Sequence, residues 1–443
     1  MSTATTPGPL QNWAKNLTYR ADVLHEPRSV AELSEVVAAA PRLRALGSRH
    51  CFNDIADSDA LVSLERMPEV VELDESARTV RVSGGIRYGT LAGHLHARGW
   101  AVHNLASLPH ISVAGAVGTA THGSGDRSGN LASAVRGLEI VRSDGELLTL
   151  TADDPDLAGA VVHLGALGVV VGVTLEVEPT YDVVQEVRTG LPWDAALEHL
   201  DEITASADSV SLFTDWRGDA VGQVWRKTRV PAGSGTQAAG SAAQDVGTGG
   251  GAGVGSARDV RHFGALAAEG EMHPLAGVDP RSTTAQRGVP GPWHERLPHF
   301  RMEFTPSHGD ELQSEYLVPR VHAADAMRAV RAMTDRVSPL LLVSEVRTIA
   351  ADDLWLSTAS GRASVGLHFT WKPLQDDVLA LLPALEEALA PFAARPHWGK
   401  LFADRDRALA ALYPRLPDFR ALVERTDPRG AFRNAWLERH VLA

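Results

Sequence analysis

Three short segments built largely from glycine and other small residues lie within the first 180 positions of this 443-residue chain. They cover residues 44–53, 115–125 and 165–168. Because glycine has no side chain and tolerates positive φ, such segments let the backbone approach a ligand closely and turn several N–H groups toward a pyrophosphate. One segment of this kind is usually only a turn, whereas three in one strand-rich region predict a bound dinucleotide.

The expected dinucleotide site lacks the fingerprint of a Rossmann fold. Glycines at residues 123–129 have the spacing GxGxxxG and follow a polar segment instead of a clean strand. The only Gly-Lys pair, Gly399-Lys400, is followed by Leu401, which excludes a P-loop, and the sequence contains no HExxH or GxSxG motif. Hydrolase and nucleoside-triphosphatase functions therefore lose their main support.

Hydrophobic periodicity in the first 180 residues predicts an α+β fold with many short strands and few helices. Ser29 and Glu32 have the spacing of a capping box, which predicts a helix over residues 29–40. A second helix is predicted over residues 89–98, and Gly145 marks a turn between two strand-like runs. Short strands are predicted over residues 42–46, 61–64, 70–73 and 79–82, and a buried turn and strand over residues 157–175.

Charge and cysteine content exclude several functional classes. With 42 Lys+Arg against 55 Asp+Glu, the net charge of −13 disfavours binding to nucleic acids and to anionic membranes. The single cysteine, Cys51, excludes an internal disulfide framework and a zinc site with several thiolates, and we expect no metal. The polar N-terminus does not resemble a secretory signal, so we expect a soluble, cytoplasmic protein, and the lack of a coiled-coil pattern favours a monomer.

Seven stretches give the chain its resemblance to a known family. They are GSRHCFN (47–53), NLASLPHISVAGAVGTATHGSG (104–125), SVSLFTDWR (209–217), VPGPWHERLPHFR (289–301), SEVRT (344–348), HFTW (368–371) and RPHWGK (395–400). On these stretches, over nearly the whole chain, the sequence resembles the vanillyl-alcohol-oxidase-type, or PCMH-type, FAD-linked oxidoreductases. Within that family it is most similar to members that oxidise linear polyols.

Two features depart from the family pattern. Residues 232–257 contain 9 Gly, 7 Ala and 3 Ser in 26 positions, which predicts a flexible loop inserted into the chain. Arg49 stands where the family leads us to expect glycine, and it adds bulk and charge beside the first glycine-rich segment.

The resemblance implies an α+β architecture with two parts. The first is a two-subdomain FAD-binding domain of the vanillyl-alcohol-oxidase/PCMH type, over residues 1–182 with residues 401–443 returning to it. The second is a cap, or substrate, domain over residues 183–400, with a mixed sheet and flanking helices.

The resemblance also implies a covalently bound FAD. His50 matches the histidine that bonds to the flavin methyl group, and Cys51 directly after it is not expected to form a second tether. The remaining residues implied to contact the cofactor are Ala45, Leu46, Gly47, Ser48, Arg49, Cys51, Ser107, Ser112, Gly115, Thr119, Ala120, Thr121, His122 and Val171.

Two pairs of polar residues are candidates for the floor of a substrate site. Glu345 and Arg347 are two positions apart, as are His368 and Thr370, so on strands each pair points to one face. The chain has only four lysines, and one of them, Lys400, lies in the RPHWGK stretch.

The resemblance assigns roles to these residues in the oxidation of a primary alcohol. Lys400 and His368 bind the reacting hydroxyl and one of them accepts its proton, while Arg347 stabilises the reduced flavin and helps to orient the substrate. Other hydroxyls of a linear polyol bind Glu345, Ser107 and Thr370. Hydride passes to flavin N5, and O2 is reduced to H2O2.

Two other functions stay open at this point. A sugar-lactone oxidase or dehydrogenase has similar flavin loops and differs in its preferred electron acceptor. A flavin fold retained as a non-catalytic sugar-binding protein is the alternative from another class, although the four polar residues Glu345, Arg347, His368 and Lys400 argue against it.

Overall fold

The computed structural model describes residues 4–5, 8–234, 262–304, 310–403 and 408–442. Its strands are β1 Ala4–Thr5, β2 Val23–His25, β3 Arg44–Leu46, β4 Ala60–Ser63, β5 Val71–Asp74, β6 Thr79–Ser83, β7 Trp100–Ala101, β8 Val135–Val141, β9 Leu147–Thr151, β10 Val169–Glu176, β11 Glu178–Pro179, β12 Tyr181–Pro192, β13 Ser209–Thr214, β14 Ala220–Pro231, β15 Leu266–Ala267, β16 Gly291–Pro292, β17 Leu312–Pro319, β18 Leu341–Ile349, β19 Ser364–Trp371 and β20 Arg395–Pro396. Its α-helices are Val30–Ala39, Tyr88–His96, Val113–Gly118, Leu157–Ala160, Trp193–Glu198, Leu200–Thr204, Ala323–Arg331, Thr334–Val337, Gln375–Leu389, Ala408–Leu412, Leu416–Thr426 and Ala435–Leu437.

The predicted α+β class is confirmed, and the predicted elements of the first 180 residues are found within a few positions of their expected bounds. Ser29 caps the first helix, since its side chain accepts a hydrogen bond from the Glu32 N–H at 3.2 Å. The predicted loop over residues 232–257 lies, from residue 235 onward, outside the described residues. Among the described helices, none combines the length and the apolar character needed to cross a membrane.

The N-terminal half forms two main sheets. In the first, β2, β4 and β3 run parallel to one another and β1 joins antiparallel, in the order β1-β2-β4-β3. The second is antiparallel in the order β5-β6-β10-β8-β9, and the short strands β7 and β11 pair beside them. The first glycine-rich segment begins on β3, the second begins in the helix Val113–Gly118, and the third directly precedes β10. Residues of all three line one cavity.

A nine-stranded sheet dominates the second half, in the order β15-β12-β14-β13-β18-β19-β17-β20 with β16 also paired to β12. We expected a mixed sheet there, but every described pair in it is antiparallel. The reason is that β19 inserts between β18 and β17, which run in the same direction, so it opposes both neighbours.

Two hydrophobic clusters organise the interior. One joins buried residues between positions 55 and 183 with Trp293, Leu297, Trp355, Leu356 and Trp398 and with C-terminal residues between 409 and 441. The other joins buried residues between positions 191 and 401 with Ala14 and Phe52. On this packing we propose the division predicted from the sequence, with a cap domain over residues 183–400 and the C-terminal tail returning to the first domain.

Arg44 ties the C-terminal tail to the first domain. This buried guanidinium donates to the carbonyl oxygens of Ile55, Leu164, Gly165 and Phe432 at 2.5–3.0 Å. Each of these carbonyls would be left without that donor if the side chain were removed, and an unsatisfied buried polar group is costly. A single side chain therefore connects β3, the third glycine-rich segment and the tail.

We expect Arg44→Leu to lower the free energy of unfolding of the protein by about 3 kcal/mol, because several buried carbonyls lose their donor. Arg42→Leu is the matched control: Arg42 is exposed and also donates to tail carbonyls, at Gly430 and Arg433. The free energy of unfolding of Arg42→Leu should stay within about 0.5 kcal/mol of the wild-type value. Urea unfolding measures both values, and equal losses for the two variants would contradict this role of Arg44.

Candidate active site

One cavity of about 690 Å³ lies between the N-terminal sheets and the nine-stranded sheet, and it brings the predicted site residues together. Ala120 is the exception, because it is fully buried and does not line the cavity. On the N-terminal side the predicted lining residues are those at positions 45–51 together with Ser107, Ser112, Gly115, Thr119, Thr121, His122 and Val171. On the opposite side they are Glu345, Arg347, His368, Thr370 and Lys400.

His50 lines the cavity and has an unpartnered ring nitrogen. Its Nδ1 is buried and has no hydrogen-bond partner among the described residues. Burial lowers the pKa of His50 to about 4, so the ring is neutral near pH 7. Trp13 stacks on the ring with the two centroids 5.3 Å apart, which fixes its orientation. A neutral, immobilised imidazole with a free nitrogen fits a side chain that bonds to a cofactor.

Ser112 marks a point where two glycine-rich loops close on each other. A Cβ atom added to Gly47 would lie 2.9 Å from Ser112 Oγ, and one added to Gly115 would lie 2.8 Å from it. A side chain at either position would therefore displace the Ser112 hydroxyl. The absence of side chains keeps backbone N–H groups accessible at the cavity wall, as a pyrophosphate site requires.

Arg49 has φ = +61°, a left-handed conformation that favours glycine. This explains why a glycine was expected there: the backbone geometry is the one that glycine adopts without strain. The Arg49 side chain is exposed and makes one long contact, 3.4 Å from Nη1 to the Gln11 carbonyl oxygen. Arg49 in place of the expected glycine therefore affects the loop through its backbone conformation.

The opposite wall is a row of polar residues across three strands. Glu345 on β18 lies directly opposite His368 on β19, and His368 lies opposite Glu315 on β17. Arg347 and Thr370, two positions further along their strands, point to the same face. The expected same-face pairs therefore lie on adjacent strands, and the sheet adds Glu315 between them.

Glu315 is the centre of this wall. Its Oε2 accepts a hydrogen bond from Lys400 Nζ at 2.7 Å, and its Oε1 accepts two from Arg347 at 2.9 and 3.1 Å. Burial alone would oppose ionisation, but the charges of Arg347 and Lys400 hold the pKa of Glu315 well below its usual range. Glu315 is consequently a fully buried carboxylate with two cationic partners.

Lys400 and His368 form a tightly coupled pair. Lys400 Nζ lies 2.6 Å from His368 Nδ1, and His368 Nε2 lies 3.1 Å from Thr370 Oγ1. Burial lowers the pKa of both groups, to about 4 for His368, while Glu315 opposes the shift on Lys400. At neutral pH the pair therefore consists of a neutral imidazole that accepts from the lysine ammonium, with a hydroxyl at its other nitrogen.

Glu345 is held by two basic residues. Its Oε2 lies 3.5 Å from Arg347 Nη1, and its Oε1 lies 3.0 Å from His299 Nε2. Burial opposes ionisation here too, but Arg347 and His299 keep the pKa of Glu345 well below its usual value. Arg347 Nη1 also lies 3.5 Å from Ser107 Oγ, which links this wall to the first domain.

His122, Glu315 and His397 each place one atom suited to metal ligation within 4.8 Å of the others, the one such group in the part of the chain that the structure describes. The oxygens of Glu315 are already bound by Arg347 and Lys400. A divalent cation at this point would face two positive charges, so the arrangement favours an ion-pair network over a metal centre.

Sequence reasoning missed Glu315, His299 and the buried Lys227 behind it. A signal existed for Glu315: it and Gln313 are two positions apart in the strand LQSEYLVP, the same spacing that identified the other two pairs. His299 lies inside a recognised stretch, VPGPWHERLPHFR, but no local pattern links it to Glu345, which is 46 positions away.

Comparison with known proteins adds two family matches. Residues 21–151 match the model described as "FAD binding domain", and residues 309–440 match the one described as "D-arabinono-1,4-lactone oxidase". The first range contains two of the three glycine-rich segments, at residues 44–53 and 115–125, and the second contains the polar wall.

Individual relatives cover almost the whole chain. The sequence is 46% identical to an alditol oxidase of a Streptomyces species over 99% of both chains. It is 30% identical to L-gulono-1,4-lactone dehydrogenase of Mycobacterium tuberculosis over 97% of this chain and 98% of the relative. The L-gulonolactone oxidase of Mus musculus is 26% identical over 97% of both chains.

Solved structures show the same fold at low sequence identity. Cholesterol oxidase from B. sterolicum aligns with a TM-score of 0.77 at 13% identity, over 100% of this chain and 97% of that chain. A structure titled "Solvent-stable cholesterol oxidase" aligns with a TM-score of 0.73 at 15% identity. The architecture is therefore that of the PCMH-type FAD-binding fold.

We expect Arg49→Gly to leave the free energy of unfolding unchanged or to raise it by up to about 1.5 kcal/mol. Relief of the left-handed conformation is worth about 1–2 kcal/mol, and the extra freedom of glycine in the unfolded chain offsets about 0.5–1 kcal/mol of it. Arg87→Gly is the control, because Arg87 has an ordinary φ of −88° and should lose stability. If urea unfolding shows a loss above about 1 kcal/mol for Arg49→Gly, the strain argument is wrong.

Proposed function

We propose that this chain, which belongs to the PCMH-type family of FAD-linked oxidoreductases that includes alditol oxidase and L-gulono-1,4-lactone dehydrogenase, is an oxidase of linear polyols. The terminal primary alcohol of xylitol, sorbitol or a similar alditol becomes an aldehyde while O2 is reduced to H2O2. The observation that carries the proposal is the polar wall, in which Glu345, the Lys400–His368 pair and Thr370 face one cavity.

The first domain supplies the cofactor site. The part of the cavity that would hold FAD is lined by residues 45–51 together with Ser112, Gly115, Thr119, Thr121, His122 and Val171, and His50 would bond to the cofactor covalently. FAD, when bound, supplies a hydride acceptor whose reduced form reacts with O2. Burial raises the pKa of the Cys51 thiol to about 11, so almost no thiolate is available for a second tether.

Lys400 and His368 bind the reacting hydroxyl, and the pair takes its proton once the proton held between Lys400 Nζ and His368 Nδ1 has been lost to solvent. They lie 2.6 Å apart, so a proton that reaches either nitrogen is shared by the pair. Glu315, 2.7 Å from Lys400, stabilises the positive charge that this transfer adds to the pair. The substrate carbon can then release its hydride, and the alcohol becomes a carbonyl.

Glu345, Ser107 and Thr370 bind the remaining hydroxyls of the polyol. Glu345 is ionised, so its oxygens only accept hydrogen bonds, and a substrate hydroxyl opposite them must donate. Arg347 donates to substrate oxygens and places positive charge where negative charge develops on cofactor reduction. A closed site with several such groups rejects analogues that lack the hydroxyls, because its buried polar groups stay unpaired.

A sugar-lactone oxidase or dehydrogenase is the second candidate. It is supported by the lactone oxidase family match over residues 309–440 and by the relative at 30% identity. Identity of 46% to the alditol oxidase favours the polyol over the lactone. The cytoplasmic location and the monomeric state stay predictions from the sequence.

The substrate class is tested by peroxide release in steady-state kinetics. We expect xylitol and sorbitol to give kcat/KM values at least about 100-fold above butan-1-ol, since a site that pairs hydroxyls discriminates strongly against their loss. Lys400→Met should lower kcat on xylitol by about 100-fold or more, as loss of a proton-accepting group does. Equal turnover of butan-1-ol and xylitol contradicts the polyol site, and faster turnover of L-gulono-1,4-lactone than of xylitol favours the second candidate.

The covalent bond is tested by denaturing the holoenzyme. Wild-type protein should keep its yellow colour after acid precipitation, whereas His50→Ala should release all flavin into the supernatant. Cys51→Ser is the matched control and should keep the flavin bound, because the thiol forms no tether. Free flavin from the denatured wild type, or retained flavin in His50→Ala, contradicts the assignment.

A further inference from the structure

Lys227 on β14 is a buried cation outside the wall described above. It is 1% exposed and does not line the cavity. Its Nζ donates to the carbonyl oxygens of Leu297 and Pro298 at 2.5 and 3.3 Å, and it lies 3.1 Å from His299 Nδ1. These three acceptors match the three N–H bonds of an ammonium group. Among the described residues no carboxylate contacts it directly.

His299 connects Lys227 to the cavity. Lys227 donates to Nδ1, so the neutral ring carries its proton on Nε2, which faces Glu345 Oε1 at 3.0 Å. Phe213 and Trp225 pack edgewise against the ring, with centroids 5.4 and 5.3 Å from its own, and hold its plane. The tautomer and the orientation of His299 are therefore both determined.

The charges along the hydrogen-bonded path from Lys227 through His299 to Glu345 support one another. Burial lowers the pKa of Lys227 to about 7, and the Glu345 carboxylate is the group that opposes this shift. Burial and the Lys227 charge both lower the pKa of His299, to about 4, so the ring stays a neutral donor toward Glu345. Lys227 thus lies two hydrogen bonds behind the Glu345 carboxylate, with His299 between them.

We propose that Lys227 is a positioning residue for substrate recognition: through His299 it holds Glu345 in one orientation as an acceptor for a hydroxyl of the polyol. This inference rests on the proposed function and extends the substrate site by two residues. Lys227 does not touch the substrate, and its effect passes through a single imidazole.

The test is a double-mutant cycle on xylitol oxidation, with Lys227→Met, His299→Leu and the double variant. Each single variant should raise KM by about tenfold, the effect of weakening one hydrogen bond to a charged group, and change kcat by less than about threefold. The double variant should be no worse than His299→Leu, because Lys227 acts only through the ring. His299→Gln should restore KM to near the wild-type value, since its amide can accept from Lys227 and donate to Glu345.

Lys372→Met is the matched control, because Lys372 is not buried and its Nζ donates to the carbonyl oxygen of Pro339. Its KM should equal that of the wild type. Flavin content and circular dichroism report whether each variant folds, and if Lys227→Met does not fold, the comparison of His299→Leu with His299→Gln decides.

Three results would overturn the positioning role. They are an unchanged KM in Lys227→Met, effects of Lys227→Met and His299→Leu that multiply in the double variant, and failure of His299→Gln to restore KM. Wild-type protein in the same assay reports the proposed function separately. If wild type oxidises no polyol, both proposals fail, whereas an active wild type with an unaffected Lys227→Met overturns only the positioning role.

Discussion

The contact of Glu315 with Arg347 and Lys400 is the constraint on which the rest of the site depends. Two cations enclosed in a cavity wall repel each other strongly unless a carboxylate lies between them. Glu315 binds one with each of its oxygens, at 2.9 and 2.7 Å, and so determines the distance between them. Lys400 in turn fixes His368, and Arg347 in turn approaches Glu345 and Ser107. One buried side chain therefore aligns the proton acceptor with the groups that bind the rest of the substrate.

The sheet makes this alignment rigid. Glu345, His368 and Glu315 are direct neighbours on three adjacent strands, so their spacing follows from the strand separation and not from flexible loops. Gly366 on β19 leaves room for the Glu315 carboxylate, because an added Cβ would lie 3.0 Å from Glu315 Oε1. The cofactor side of the cavity is built from loops. There the close approach of Gly47 and Gly115 to Ser112 leaves little room for the backbone to move. The cavity thus has a rigid polar wall of strands on one side and closely packed backbone loops on the other.

Local sequence patterns predicted one part of the fold and of the site and could not predict the other. The helix after Ser29, the short strands and the same-face pairs on β18 and β19 follow from periodicities of a few residues. The family resemblance supplied the grouping of His50 with residues 300 positions away, which no local pattern contains. Glu315, His299 and Lys227 were missed because their importance arises from strand pairing and packing between distant segments. The antiparallel order of the large sheet was missed for the same reason, since insertion of β19 between β17 and β18 is not encoded in any of the three strands alone.

Charge balance explains why such a polar wall suits a neutral substrate. Glu315 and Glu345 balance Arg347 and Lys400, while burial keeps His299 and His368 uncharged. A polyol brings no charge into this enclosure, so its binding exchanges hydrogen bonds with water for hydrogen bonds with fixed groups and requires no ion to be stripped of water. During the reaction the proton taken from the substrate restores positive charge to the Lys400–His368 pair. Because Glu315 already lies beside that pair, the wall stabilises the charge that develops more than it stabilises the neutral substrate, and this difference is what lowers a reaction barrier.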